Sequence, residues 1–241
     1  MKYLLLFSCL VGASLARNLP SFVEVCRPKH VDVNKCIQRN VDYLKGKFDE
    51  GIPELLIPSF KPFIIPNAFF QLGSNLQMEV KNLKLYLPQS FSLPEMRADL
   101  KNIKFYMKLH FPLMHMLTDY NLNGKLLIIN LNSTGSGTIN ITDMVADVVA
   151  NGKLHKKKGK DYITITDIDI KPKIKSLDLN LNLFPNNAEL HDTVRKLYRD
   201  NEEVLKEDFI PVVVKIVKDI IMNLVNNFFD NFSFDTLFPD D

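Results

Sequence analysis

Near its C-terminal end the chain reads Val212-Val213-Val214-Lys215-Ile216-Val217-Lys218-Asp219-Ile220-Ile221-Met222-Asn223-Leu224-Val225-Asn226-Asn227-Phe228-Phe229. Its polar residues recur every three or four positions, so a helix would carry them on one narrow stripe. They are Lys215, Lys218, Asp219, Asn223, Asn226 and Asn227. The length would suffice to cross a membrane, but three charges in midspan would be costly in lipid. We therefore predict a helix around which a sheet is wrapped.

A second helical pattern leads into this run. Its apolar residues at helical spacing are Leu190, Val194, Leu197, Val204 and Leu205. Pro211 follows them and is expected to kink or restart the helix. Another helix is predicted near residue 40, where Asp32 or Asn34 can cap it and Gly51 and Pro53 stop it.

The middle of the chain shows the alternation of β-strands. The clearest apolar series is Ile103, Phe105, Met107, Leu109 and Phe111. A one-residue slip of the alternation after Val80, and another after Ile165, indicates a β-bulge at each place. Ser133–Gly137 is predicted to be a turn, in which Gly135 and Gly137 supply backbone angles that other residues resist.

Strands of this kind have one solvent-exposed face and one buried face, which is typical of an antiparallel sheet with one side solvated. They follow one another with hairpin-length connections and no helices between them, which argues against a βαβ architecture. The apolar face of the sheet must pack against another element, and we expect the C-terminal helices to do so. We predict an α+β fold in one domain, residues 17–241, with a long curved antiparallel sheet wrapped around a long C-terminal helix.

The N-terminus has the layout of a secretory signal peptide, predicted over residues 1–16. Lys2 forms a short positive region, and an apolar run extends from Leu4 to Val11. Ser14-Leu15-Ala16 then supplies small residues for a cleavage site. We expect a secreted, extracellular protein.

Removal of this segment would leave two cysteines, Cys26 and Cys36. In an oxidising compartment such a close pair predicts one disulfide. A metal site would need more ligands than the nearby His30, so none is expected. Sites for N-linked glycosylation follow the Asn-x-Ser/Thr pattern and are predicted at Asn132, Asn140 and Asn231.

Composition and motifs exclude several classes of function. The formal net charge of the 241 residues is only +2, which gives no indication of nucleic-acid binding. The five histidines form no His-Glu-x-x-His pattern, and Gly135-Ser136-Gly137 has the spacing of neither a nucleophile elbow nor a phosphate-binding loop. We therefore expect neither an enzyme nor a cofactor.

The basic run Lys153–Lys160 is predicted to be a solvated hairpin tip, with Gly152 and Gly159 as its turn residues. The alternative is a working surface that makes weak contact with a receptor or with a membrane, through anionic lipid head groups or sulfated glycans. It has no interleaved aromatic residues, which argues against single-stranded nucleic acid.

Several short motifs follow the cysteine pair in a fixed order. They are Gly51-Ile52-Pro53-Glu54-Leu55, Tyr120-Asn121-Leu122-Asn123-Gly124-Lys125-Leu126-Leu127, Gly135-Ser136-Gly137, Asn182-Leu183-Phe184 and Phe234-Asp235-Thr236-Leu237-Phe238-Pro239. Over nearly the whole mature chain this order resembles the juvenile hormone-binding and takeout family of insects. Hormone carriers of that family usually have a second disulfide, for which this chain has no cysteines. The resemblance is therefore to the takeout-like, circadian clock-controlled branch.

The resemblance implies a fold related to the tubular lipid-binding proteins and the carriage of terpenoid or other lipidic ligands. A sheet wrapped lengthwise around a helix can leave a tunnel suited to such a ligand. Six methionines are flexible enough to line the tunnel, or alternatively fill gaps in the core. They are Met78, Met96, Met107, Met114, Met116 and Met222.

The proposed ligand is a small elongated hydrophobic molecule (a terpenoid, fatty acid or quinone), bound without covalent chemistry by a monomer. Tyr120 is the candidate hydroxyl for an oxygen of the ligand, the alternative being a core tyrosine bonded to backbone. The predicted tunnel walls, from alternation and helix phase, are Phe105, Met107, Leu109, Phe111, Ile128, Ile139, Ile141, Val213, Ile216, Ile220 and Leu224. In the competing hypothesis the protein's own side chains fill the interior, and the basic loop is the functional surface of a secreted interaction protein.

Overall fold

Six antiparallel strands form one sheet within residues 18–72, 75–87, 90–126, 129–184 and 187–240, the part of the chain that the structure, a computed structural model, describes. The strands are β1 (Phe63–Leu72), β2 (Leu76–Tyr86), β3 (Ser92–Asp99), β4 (Lys104–Leu126), β5 (Ile129–Lys157) and β6 (Lys160–Leu181). Their order is β1-β2-β4-β5-β6, and β3 pairs with the first half of β4. The sheet is curled; β1 and β6 end this order, and β3 is paired on one side only.

Helices occupy both ends of the described chain. They are α1 (Val33–Leu44), α2 (Ala188–Asp200), α3 (Glu202–Phe229) and α4 (Phe234–Leu237). The long helix α3 contacts β6 and β1, so it lies across the open side of the curled sheet. The predicted α+β class, a curved sheet around a long C-terminal helix, is confirmed. None of the helices in the described residues combines the length and apolar character that a membrane span requires.

The exposed residues of α3 recur at every fourth position. Among the side chains described, they are Glu207, Pro211, Lys215, Asp219, Asn223 and Asn227, with Glu203 at the first turn. Lys218 and Asn226 were predicted for the same stripe, but they lie beside it and reach β6. The prediction that Pro211 restarts the helix is wrong, since α3 begins at Glu202 and continues through the proline. The break between α2 and α3 is at Asn201.

The predicted slips of alternation are confirmed as register shifts. One lies between Lys81 and Lys84 in β2, where Asn82 has φ 50°. The other, after Ile165, corresponds to a shift at Asn151 and Gly152 of the partner strand. At these points the extra residue lets the apolar side chains return to the same face of the sheet.

A further change of alternation was not predicted. Before Pro112 the odd-numbered residues of β4, such as Phe105, point inward. After Pro112 the even-numbered residues, such as Tyr120, do so. In β5 the change is at Asp143, whose φ is 54°. Pro112 has no N–H to donate, and Asp143 is in the left-handed region. The two residues face each other on β4 and β5, at the point where the inward face of both strands changes.

The prediction of a turn at Ser133–Gly137 is wrong, because these residues lie inside β5 and pair with Tyr120 and its neighbours in β4. Neither Gly135 nor Gly137 has a positive φ. They provide space instead: a Cβ at residue 135 would lie 2.8 Å from the Tyr120 hydroxyl, and one at residue 137 would lie 2.8 Å from the Asn180 carbonyl oxygen.

The N-terminal segment packs beneath β3. A disulfide joins Cys26 and Cys36, as predicted, and both residues are buried in the core at this end of the molecule. Of the two predicted caps of α1, Asp32 is the correct one. Asn34 accepts a hydrogen bond from the backbone N–H of Ala98 (2.8 Å), which ties the helix to β3.

Candidate ligand-binding site

The inward face of α3 is apolar but incompletely buried. Val213, Val217, Ile221 and Val225 lie opposite the exposed stripe, and all four are only partly buried. Among the α3 side chains that the structure describes, Lys206 alone is fully buried. A helix packed into a dense core would lose nearly all exposure on this face. Solvent therefore reaches the inward face of α3, and we expect a cavity between this helix and the sheet.

Two buried clusters close the ends of this space. One packs Phe228, Phe229 and their neighbours in the last turns of α3 against Phe105 and the disulfide. The other packs Phe209, Val212, Val213 and Ile216 against a core that includes Tyr120. Val217 and Ile220, which lie between these groups on the helix, belong to neither cluster. The incompletely filled space is therefore expected beside the middle of α3.

The wall of the sheet facing this region is rich in methionine. Ile139, Ile141 and Leu177 form its buried base. The partly buried residues packed against them are Met114, Met116, Met144, Ile174, Leu179 and Phe209. Unbranched methionine side chains adapt to ligands of irregular shape. Of the other methionines considered above, Met78 and Met96 are buried core residues, whereas Met107 and Met222 are partly exposed.

Most of the predicted wall residues lie in one of the two end clusters or in the methionine-rich wall. Phe105, Met107 and Leu109 belong to the disulfide end, Tyr120, Val213 and Ile216 to the other, and Ile139 and Ile141 to the wall. Ile220 and Leu224 are half-buried on α3. Phe111 stacks on Phe91, with ring centroids 5.7 Å apart. Ile128 lies outside the described residues.

Met144, Leu179 and Phe209 were missed by the sequence reasoning. Met144 directly follows Asp143, where the inward face changes, so extending the alternation of Ile139 and Ile141 along β5 assigns it to the wrong side. Leu179 alternates with Leu177 and Leu181 in the sequence, but it was not assigned to the tunnel. Phe209 precedes Pro211, at which the helix was expected to kink or restart. The expectation of a restart obscured that Phe209 and Val213 belong to one continuous helix.

Tyr120 is the polar group within this apolar region. Its side chain is 3% exposed, and its hydroxyl has no hydrogen-bond partner among the described residues. Burial raises the pKa of Tyr120, and the Ser133 side chain lowers it, since its hydroxyl approaches that of Tyr120 without reaching the geometry of a hydrogen bond. The Ser133 hydroxyl itself donates to the Leu183 carbonyl at 2.8 Å. A buried hydroxyl without a partner is costly, so the site offers an unmet hydrogen bond to a ligand.

Side chains of the helices hold the edge strand β6 at two points. The Asn226 amide accepts from the Ile165 N–H (2.8 Å) and donates to the Ile165 carbonyl (3.0 Å). Twelve residues further along, Tyr198 donates to the Leu177 carbonyl (2.7 Å), and Glu202 accepts from the Leu177 N–H (3.2 Å). These bonds satisfy backbone groups that an edge strand leaves unpaired.

Lys206 supports the second of these points. It lies 2.8 Å from Glu202 and 3.0 Å from Glu203. Its hydrogen bond lowers the pKa of Glu202 against the opposing effect of burial, so Glu202 stays ionised. Burial raises the pKa of Tyr198, which therefore stays protonated as a donor.

The basic run Lys153–Lys160 does form a hairpin, but its turn is shorter than predicted. The turn residues are Lys158 and Gly159, with φ 52° and 79°, whereas Gly152 lies within β5. Lys157 donates to the Asp230 carbonyl at 2.9 Å, which ties the hairpin to the end of α3. No three His, Cys, Asp or Glu side chains among the described residues form a group that could hold a metal ion.

Comparison with known proteins shows the relationships of the whole chain. The profile of the Haemolymph juvenile hormone binding protein (JHBP) family matches residues 4–239. The chain is 26% identical over 243 residues to the circadian clock-controlled protein daywake of Drosophila melanogaster, covering 96% of this chain and 92% of that protein. Identity to daywake of Drosophila yakuba is 23% over 235 residues, covering 92% and 89% respectively.

The fold has a counterpart among solved structures. The crystal structure of Epiphyas postvittana Takeout 1 superposes with a TM-score of 0.75, at 20% sequence identity, over 88% of this chain and 97% of that one. The family profile spans nearly the whole sequence, and the superposition spans nearly the whole fold. The chain therefore belongs to the haemolymph juvenile hormone binding protein family.

Proposed function

We propose that the protein is a secreted carrier that holds one small, elongated, hydrophobic ligand between α3 and the methionine-rich wall of the sheet. The observation that carries this proposal is the incomplete burial of the apolar helix face, on which Val217 belongs to neither end cluster. Removing a ligand's apolar surface from water contributes about 25 cal/mol per Å². The same contact would remove the remaining exposure of the protein's own side chains.

The polar chemistry of the site selects among apolar molecules. The Tyr120 hydroxyl can donate to a carbonyl, epoxide or carboxyl oxygen at the end of a ligand. Terpenoid esters and epoxides, quinones and fatty acids have the required combination of a long apolar body and an oxygen acceptor. Family membership supports the same classes, since the family takes its name from juvenile hormone binding.

Secretion is supported by the signal-peptide pattern at residues 1–16, which lie outside the described residues, and by the disulfide Cys26–Cys36. The word haemolymph in the family name points the same way. Binding requires no bond to be made or broken, so we expect a non-catalytic protein that needs neither metal nor cofactor.

Native mass spectrometry of the protein secreted by insect cells tests the proposal first. We expect one apolar molecule per chain, which solvent extraction would release for identification. The emptied protein should then bind members of a panel of sesquiterpenoid esters, fatty acids and quinones. A protein that is purified empty and binds none of the panel would contradict the carrier proposal.

A substitution at Val217 tests the location. In a filled core, Val217→Phe would overpack and cost about 1–3 kcal/mol. In an open interior the larger side chain fits, so we expect a thermal midpoint within about 2 °C of the parent protein and at least about a tenfold loss of ligand affinity. Asn223→Phe, on the exposed stripe of the same helix, is the matched control and should leave affinity unchanged. Strong destabilisation by Val217→Phe would place the ligand elsewhere.

A further inference from the structure

Three Asn-x-Ser/Thr sites occur in the chain, and the structure gives them very different surroundings. Asn132 is exposed on the outer face of β5. Its amide makes no hydrogen bond within the described part of the chain. Thr134, the hydroxyl residue of the same site, is also exposed. The two side chains lie on the same face because they are two positions apart in a strand.

The surface around Asn132 suits a sugar chain. The outward residues nearest to it are uncharged, polar and exposed: Asn121, Asn123, Asn130, Thr134 and Ser136. The charged residues Asp119 and Lys125 flank this group on the same face. In the other half of the same sheet the outer face carries Lys108, Asp147 and Lys173 instead. Amide and hydroxyl groups can donate to and accept from sugar hydroxyls without desolvating a charge.

Asn140 is held by the protein. It is half-buried, and its Oδ1 lies 2.7 Å from Nδ1 of His115 on the adjacent strand. A sugar on the same amide would have to share this narrow position with the imidazole ring, which stacks near Tyr86.

Asn231 is still more constrained. Its amide nitrogen, the atom to which a glycan would be attached, donates to the Asn227 carbonyl at 2.8 Å. The remaining residues of the site, Phe232 and Ser233, are 0% and 3% exposed. The Ser233 hydroxyl caps α4. A glycan here would weaken the hydrogen bond that closes α3.

We propose that Asn132 carries an N-linked glycan and that Asn140 and Asn231 do not. The inference rests on the secretion stated in the proposed function, because the modification occurs in the secretory pathway. The glycan projects from the outer face of the sheet, whereas the ligand site lies on the inner face. Ligand affinity is therefore the same before and after enzymatic removal of the glycan.

The test is peptide-level mass spectrometry of the protein expressed in insect cells, with and without glycosidase treatment. We expect nearly complete occupancy at Asn132 and background levels at the other two sites. Asn132→Gln and Thr134→Ala should both abolish the glycan mass, the second while leaving the asparagine in place. Ser136→Ala, a hydroxyl loss on the same face but outside the site, should retain it.

The possible failures are distinguishable. Occupancy at Asn140 or Asn231, or secreted protein without any glycan, would overturn the inference and leave the carrier proposal standing. Unmodified protein found only inside the cells would overturn both the inference and the proposed secretion.

Discussion

Replacing Tyr120 by phenylalanine is expected to stabilise the ligand-free protein and to weaken its complex with an oxygen-bearing ligand. The side chain is 3% exposed, and its hydroxyl has no partner among the described residues. Burying such a group without a hydrogen bond costs about 1–3 kcal/mol. Phenylalanine keeps the ring in place and removes only the oxygen. The expected gain in the free energy of unfolding is therefore about 1 kcal/mol or more.

The ligand complex should respond in the opposite direction. A hydrogen bond from Tyr120 to the ligand would contribute about 0.5–1.5 kcal/mol, and its loss weakens affinity about two- to tenfold. The assay is a pair of measurements on emptied protein: thermal unfolding, where 1 kcal/mol corresponds to about 2–4 °C for a chain of this size, and calorimetric titration with a sesquiterpenoid ester. A hydrocarbon of the same length provides the reference ligand, whose affinity should not fall.

Tyr198→Phe is the matched control. Tyr198 is also partly buried, but its hydroxyl donates to the Leu177 carbonyl at 2.7 Å. Its removal should therefore destabilise the protein by about 1–3 kcal/mol. If Tyr120→Phe destabilised the protein as much as Tyr198→Phe does, the Tyr120 hydroxyl would have a partner within the protein. It could then not be the unmet donor on which ligand selection is argued.

Two further predictions concern the seam between the helices and β6. Asn226→Ala removes the side chain that bonds the N–H and the carbonyl of Ile165, a residue that is 1% exposed. It should lower the free energy of unfolding by about 2–5 kcal/mol in chemical denaturation. Asn227→Ala, at the exposed neighbouring position, should change that free energy by under about 1 kcal/mol, and equal effects of the two variants would refute the role of the Asn226 amide. The pKa of Glu202 is held below its ordinary value by Lys206, so its ionised form contributes stability that is complete above about pH 4.5 and is lost as the pH falls through the lower pKa of the folded state. Glu202→Gln should accordingly lose less stability than the parent protein between about pH 5 and pH 3 in thermal unfolding, and parallel pH profiles would show that the carboxylate contributes nothing specific.

Much of the fold could be predicted because the pattern of apolar residues is strong where one face of an element is buried. The charges and amides of the C-terminal run excluded a membrane helix and indicated a helix enclosed by a sheet. The two slips of alternation marked two real changes of register. The short loop between Cys26 and Cys36 was sufficient to predict their disulfide, since a pair so close in the chain has few other partners.

The errors occur where residue type and backbone geometry point in different directions. Ser133–Gly137 has the composition of a turn, yet it is a strand, because the glycines make room for Tyr120 and for the neighbouring strand. Proline is unfavourable inside a helix, yet α3 continues through Pro211. At Ser133–Gly137 local preference was overridden by packing against residues distant in the sequence. Pro211 lies on the exposed face of α3, and the helix continues there without such contacts.

The sequence by itself therefore determined the class of structure, the helix that the sheet encloses and the family to which the chain belongs, because these depend on periodic burial and on the order of motifs. The tertiary structure alone decided which side chains face the site. The face of the central strands changes at Pro112 and Asp143, and this single change determines whether Met114, Met116 and Met144 point inward. It also showed that the Tyr120 hydroxyl is buried and has no hydrogen-bond partner in the part of the chain that the structure describes. Hydrogen-bond satisfaction depends on atoms brought together from distant strands, and alternation within one strand carries no information about them.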